Sequence, residues 1–124
     1  MRQTGTRQQA GREAEACALQ HLQRQGLQLI TQNWSCRRGE LDLVMLEGDT
    51  VVFVEVRYRR QSGWGSAMES VDFRKQERLV MAAQSFLQQE SQWAGHPCRF
   101  DVIALEGNPR DTAPLNWIKN AFDS

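Results

Sequence analysis

Two short apolar runs, ELDLVML (40–46) and TVVFVEVRY (50–58), constrain this chain more than any other feature. Each alternates β-branched or aliphatic residues on both faces, and Gly48-Asp49 between them supplies a two-residue turn, so they predict a β-hairpin. Strands that are apolar on both faces belong at the centre of a sheet covered on both sides. With Gly48 and Asp49 as the turn, paired positions sum to 97. Leu46 then faces Val51, Val44 faces Phe53, Asp42 faces Glu55 and Glu40 faces Arg57 on one side. Leu41–Val56, Leu43–Val54 and Met45–Val52 form the other side, which is plain core. The register thus sets two carboxylates side by side, a destabilising arrangement unless a proton or cation lies between them. Two readings of the pair stand: ligands of a hard divalent ion such as Mg²⁺ or Mn²⁺, or solvated edge acids facing arginines such as Arg37 and Arg59.

The flanking sequence supplies the layers. Ala14, Ala18, Leu19 and Leu22 recur at helical spacing and Gly26 follows as a stop, predicting a helix from Gly11 to Gln25. Glu15 lies on that stripe and points toward the sheet. Residues 27–34 read as a strand. Asp72 is a good N-cap for a helix running to about Gln89, with Leu79, Ala82, Ala83, Phe86 and Leu87 inward. Residues 98–105 form a further strand, and LNWIKNAF (115–122) a short element whose type the pattern leaves open. The expectation is an α/β fold, a mixed sheet of four to five strands flanked by helices, as one domain over 11–124 after a flexible segment 1–10.

Composition narrows the function classes. Fifteen basic and fifteen acidic residues cancel, so the chain is no bulk polycation. Thirteen of the basic residues are arginine, whose planar fork suits phosphate. Residues 56–78 gather Arg57, Arg59, Arg60, Arg74, Lys75 and Arg78 against three acids. No apolar run is long enough to span a bilayer and the N-terminus lacks a secretory signal's apolar centre, so a cytoplasmic location without membrane partners is expected. Cys17, Cys36 and Cys98 lack disulfide or zinc spacing and read as buried or inert thiols. Trp64, between two glycines in a basic loop, suits either base stacking or anchoring of the loop. Trp34, Trp93 and Trp117 read as core or partner-surface residues.

The set Gly11-x3-Glu15-x2-Ala18-x3-Leu22-x3-Gly26, Asn33, RRGELDL, VFVEVRYR, Lys75 and RFDVIAL resembles the YraN-like uncharacterised bacterial family, over about residues 11 to 122. That family is in turn similar to PD-(D/E)XK nucleases of the Holliday junction resolvase type. The resemblance implies a restriction-endonuclease-like core and a metal-dependent endonuclease acting on DNA, including branched DNA, as a homodimer. It implies Glu15, Asp42, Glu55 and Arg57 as catalytic residues, and Asp42, Glu55 and the Val56 carbonyl as ligands of Mg²⁺ or Mn²⁺. Arg38, Arg57, Arg59, Arg60, Trp64, Arg74, Lys75 and Arg78 become candidate nucleic-acid contacts. One departure matters: Arg57 stands where the superfamily has lysine, and arginine cannot act as a base. Lys75 is the candidate for the missing amine. The alternative function is a nucleic-acid-binding protein that keeps the nuclease fold with weak or lost catalysis.

Overall fold

A computed structural model describes residues 6–59, 71–107 and 115–123. The chain runs α1 (Thr6–Arg24), β1 (Gln28–Cys36), β2 (Gly39–Glu47), β3 (Thr50–Arg59), α2 (Phe73–Gln89), a 3₁₀ turn (Ser91–Trp93), β4 (Cys98–Glu106) and β5 (Leu115–Phe122). The five strands form one sheet in sequence order. All neighbours are antiparallel except β3 and β4, which are parallel because α2 carries the chain back between them.

One helix covers each face, as the doubly apolar strands require. On one side Ala14, Ala18 and Leu22 of α1 pack on Leu43, Met45, Val52, Val54, Ile103 and Leu105. On the other, Leu79, Ala82, Ala83 and Phe86 of α2 pack on Leu41, Val44, Val51, Phe53, Phe100 and Val102. Phe86 meets Trp34 and Phe53 edge-on at 5.4 and 6.1 Å, and Phe53 stacks on Phe100 at 5.4 Å. This is an α/β core with a mixed, open sheet, consistent with the restriction-endonuclease-like architecture expected from the sequence.

Helix ends follow local chemistry. The α1 helix closes on Gly26 (φ 98°), where the amide of Leu27 donates to Leu22 and that of Gly26 donates to Gln23, both at 3.0 Å. Only a residue tolerant of positive φ can sit there. At the start of α2, Asp72 is the N-cap, its carboxylate accepting from the Lys75 amide at 2.9 Å.

Several expectations need correction. The first helix begins at Thr6, not Gly11, so residues 6–10 are helical rather than frayed. The ambiguous C-terminal element is an edge strand, β5, pinned through the fully buried Asp101. That carboxylate accepts from Arg99 at 3.0 and 3.1 Å, from the Trp117 indole at 2.9 Å and from the Asn120 amide at 2.9 Å. Asn120 has φ 52° beside a register shift, which broke the alternation that would have revealed the strand. Cys17 and Cys36 are only half-buried and Cys98 is exposed. Arg60, Trp64 and the loop at 60–70 lie outside the described residues.

Candidate functional site

The hairpin register holds from Glu47–Thr50 to Leu43–Val54 as expected, and then the backbone pairing of β2 with β3 ends. Beyond that point the Val56 N–H donates to the Asp42 carboxylate at 2.9 Å instead of to the backbone of β2. The strict alternation assumed from sequence fails here: Leu41 joins the α2-side core while Leu43 joins the α1-side core. Leu41 therefore does not face Val56 in one core layer. Glu40 stands across from Ser35 of β1 rather than in register with Arg57. Asp42 sits at the break, and Asn33 faces it from β1, between the pairs Gln32–Leu43 and Trp34–Leu41. Asn33 has φ 53°, so both strands abandon regular geometry at the same level.

The parting of β2 and β3 opens a cleft of about 370 Å³ lined by Gly11, Ala14, Glu15, Asp42, Glu55, Val56, Arg57, Tyr58 and Lys75. Glu15 reaches it from α1 and Lys75 from α2, on opposite sides of the sheet. Three acids and two bases thus converge at a gap that the patterning of any one element does not reveal. Glu55 is 5% exposed and its Oε2 accepts from Arg57 Nη1 at 3.1 Å, with Lys75 Nζ at 3.5 Å. Two cations on one buried carboxylate offset the cost of taking it out of water.

Asp42 pays differently. Burial, then the Glu55 charge, push its carboxyl up to about 7, against the lowering effect of the Val56 N–H and of Lys75. A hydrogen bond to Glu55 also favours the protonated form. The carboxyl of Glu15 is raised as well, first by burial and then by Asp42, while a hydrogen bond from Asn33 works the other way. The opening between β2 and β3 therefore holds an acidic pair that, unaided, keeps a proton near neutral pH.

Its donor set is hard oxygen throughout. A strand residue's N–H and C=O point to the same side, so the Val56 carbonyl also faces β2 where pairing has ended. Among the described residues no three His, Cys, Asp or Glu side chains gather closely enough to cage a metal by themselves. Two carboxylates and a carbonyl in an open cleft suit Mg²⁺, which keeps several waters, better than an all-protein cage.

Of the candidate nucleic-acid contacts, Arg57 and Lys75 line this cleft and the other described arginines do not. Arg59 is exposed at the end of β3, and Arg74 and Arg78 are exposed on the first turns of α2. Arg38 is exposed in the turn between β1 and β2. That turn abuts α2, since a Cβ on Gly39 would stand 3.3 Å from the Arg78 carbonyl oxygen. Lys75, the candidate for the missing amine, forms an ion pair with Glu55. The side chain that sequence reasoning passed over is Asn33, which stood in the motif without a role.

Comparison with known proteins adds a lineage. The model of the uncharacterised protein family UPF0102 matches residues 14–105, a span that includes Glu15, Asp42, Glu55, Arg57 and Lys75. A UPF0102 protein of Pseudomonas syringae is 80% identical over 122 residues, covering 98% of this chain and 99% of the relative. One from Ectopseudomonas mendocina is 69% identical over 116 residues, covering 92% and 94%. One from Pseudomonas fluorescens is 62% identical over 120 residues, covering 97% and 98%.

Proposed function

The chain belongs to the UPF0102 family, and from that premise we propose that it is a metal-dependent endonuclease hydrolysing DNA phosphodiester bonds, with branched or junction DNA as substrate. The observation that carries the proposal is the cleft in which Asp42 and Glu55 meet beside two cationic side chains. No helix among the described residues is long and apolar enough to cross a membrane. Action on DNA in the cytoplasm by a two-fold dimer is part of the same proposal.

Asp42, Glu55 and the Val56 carbonyl would hold Mg²⁺ or Mn²⁺. When bound, the ion would supply a water of lowered pKa and charge stabilisation at the phosphoryl oxygens. The protein's own groups do the rest. Arg57 stays protonated and so serves as a fixed positive charge for a non-bridging phosphate oxygen. Lys75 brings an amine beside Glu55 from the other chain segment, and its 34% exposure leaves it able to reach a phosphate. Glu15 faces the same cleft from α1, where a carboxylate can orient the attacking water. Arg38, Arg59, Arg74 and Arg78, with Arg60 and Trp64, would track the nucleic-acid backbone and an unpaired base.

The test is cleavage of matched single-stranded, duplex and four-way-junction DNA with Mg²⁺, Mn²⁺ or chelator, alongside folded Asp42→Ala and Glu55→Ala variants. Metal-dependent cutting lost in both variants is the expected result. One observation favours a second reading: Arg57 occupies the position of the superfamily's lysine. Salt-sensitive DNA binding without cleavage in any metal would make the protein a binding module on a nuclease fold.

A further inference from the structure

We propose that Asn33 is a positioning residue whose amide holds the Glu15 carboxylate at the mouth of the Asp42–Glu55 pair. The inference rests on the metal-dependent reading above and assigns the site a fifth structural element, β1.

Three observations meet at this residue. Asn33 has φ 53° in the middle of a nine-residue strand, a conformation that asparagine tolerates far better than branched or bulky residues. It stands directly across from Asp42, at the level where β2 and β3 part. Its side chain hydrogen-bonds Glu15, which lies on α1 and lines the cleft. An ionised carboxylate only accepts, so the amide N–H of Asn33 is the donor.

The chemistry explains why asparagine suits the position. Glu15 approaches two other carboxylates, and without a fixed donor its flexible side chain would swing toward solvent. Glycine would satisfy the backbone at φ 53° but offer no donor. Aspartate would fit the backbone and the space but set a fourth carboxylate against three. Asparagine alone of these keeps the turn, the donor and neutrality. By holding Glu15 in place, it fixes the outer wall of the site on the α1 side, where it can hold water belonging to an ion's remaining shell.

The experiment is Mn²⁺ binding, followed by calorimetry and by the electron paramagnetic signal of the free ion. It uses the full chain and Asn33→Gly, Asn33→Asp, Glu15→Ala and the Asn33→Gly/Glu15→Ala double variant, each checked for native circular dichroism. Partners that orient a metal site from outside typically contribute 10–100-fold in affinity, so Asn33→Gly should weaken Mn²⁺ binding about tenfold, and Asn33→Asp, which loses the donor but adds a charge that attracts the ion, should weaken it less. In the Glu15→Ala background, Asn33→Gly should cost nothing more. Wild-type affinity in Asn33→Gly would show that only the backbone turn matters and would overturn the proposal. An undiminished loss in the double variant would overturn it too, because the effect would not pass through Glu15. Wild-type protein that binds no Mn²⁺, or binds it equally after Asp42→Ala, would instead sink the metal-dependent reading itself.

Discussion

Replacing Asp42 by asparagine should stabilise the fold most at alkaline pH, by less as pH falls, and hardly at all at about pH 4. Asparagine mimics the protonated acid: its carbonyl oxygen still accepts from the Val56 N–H, and its amide can donate to Glu55. In the wild type the carboxyl rises from 3.8 to about 7, through burial first and the Glu55 charge second. The unfolded chain releases this proton near 3.8 while the folded chain keeps it to about 7, so the folded state binds more protons in between. Stability contributed by this group therefore falls as pH rises through that window and is flat above it. At 1.36 kcal/mol per pH unit, the full shift corresponds to about 4 kcal/mol. The cleft is open to water, which screens these charges and reduces the expected gain to about 1–3 kcal/mol. Urea unfolding of wild type and Asp42→Asn at about pH 4, near the unfolded value, and at about pH 8.5 measures it directly. The curves should nearly coincide in acid and separate in base, with a rise in Tm of about 4 °C per kcal/mol. Adding Mg²⁺ in base should recover the wild type and leave the variant where it was. An equal gain at both pH values, or none in base, would refute the reasoning, because ionisation of Asp42 would then cost the fold nothing.

Three further outcomes follow from the same contacts. Lys75→Gln should reduce DNA cleavage about 100-fold and cost about 1–2 kcal/mol in a thermal melt, because the buried Glu55 carboxylate loses one of its two cations and keeps Arg57. Asp101→Ala should cost about 3–5 kcal/mol in urea unfolding, since it strips Arg99, Trp117 and the Asn120 amide of one buried acceptor. Phe86→Ala should cost about 3–5 kcal/mol, as a ring 1% exposed and wedged against Trp34 and Phe53 leaves a cavity.

What the sequence by itself determined is the part governed by short-range periodicity. The pairs from Leu46–Val51 to Leu43–Val54 follow from the two-residue turn, whose length fixes the register of a hairpin. The inward stripes of both helices and the Asp72 cap follow for the same local reason. Tertiary structure decided what happens where those patterns stop. At Asp42 the backbone ladder competes with a carboxylate that needs a donor, and the carboxylate takes the Val56 N–H. That choice parts the strands, sends Leu41 and Leu43 to opposite cores and opens the cleft. Glu15 and Lys75 enter it from helices on opposite faces, so their approach to one buried pair is a property of the assembled layers. Alternation also failed at Asn33 and Asn120, where positive φ turns the chain off its period of two. Periodicity reports which face a residue is on only while the strand is regular, and here the strand is least regular where the acids meet.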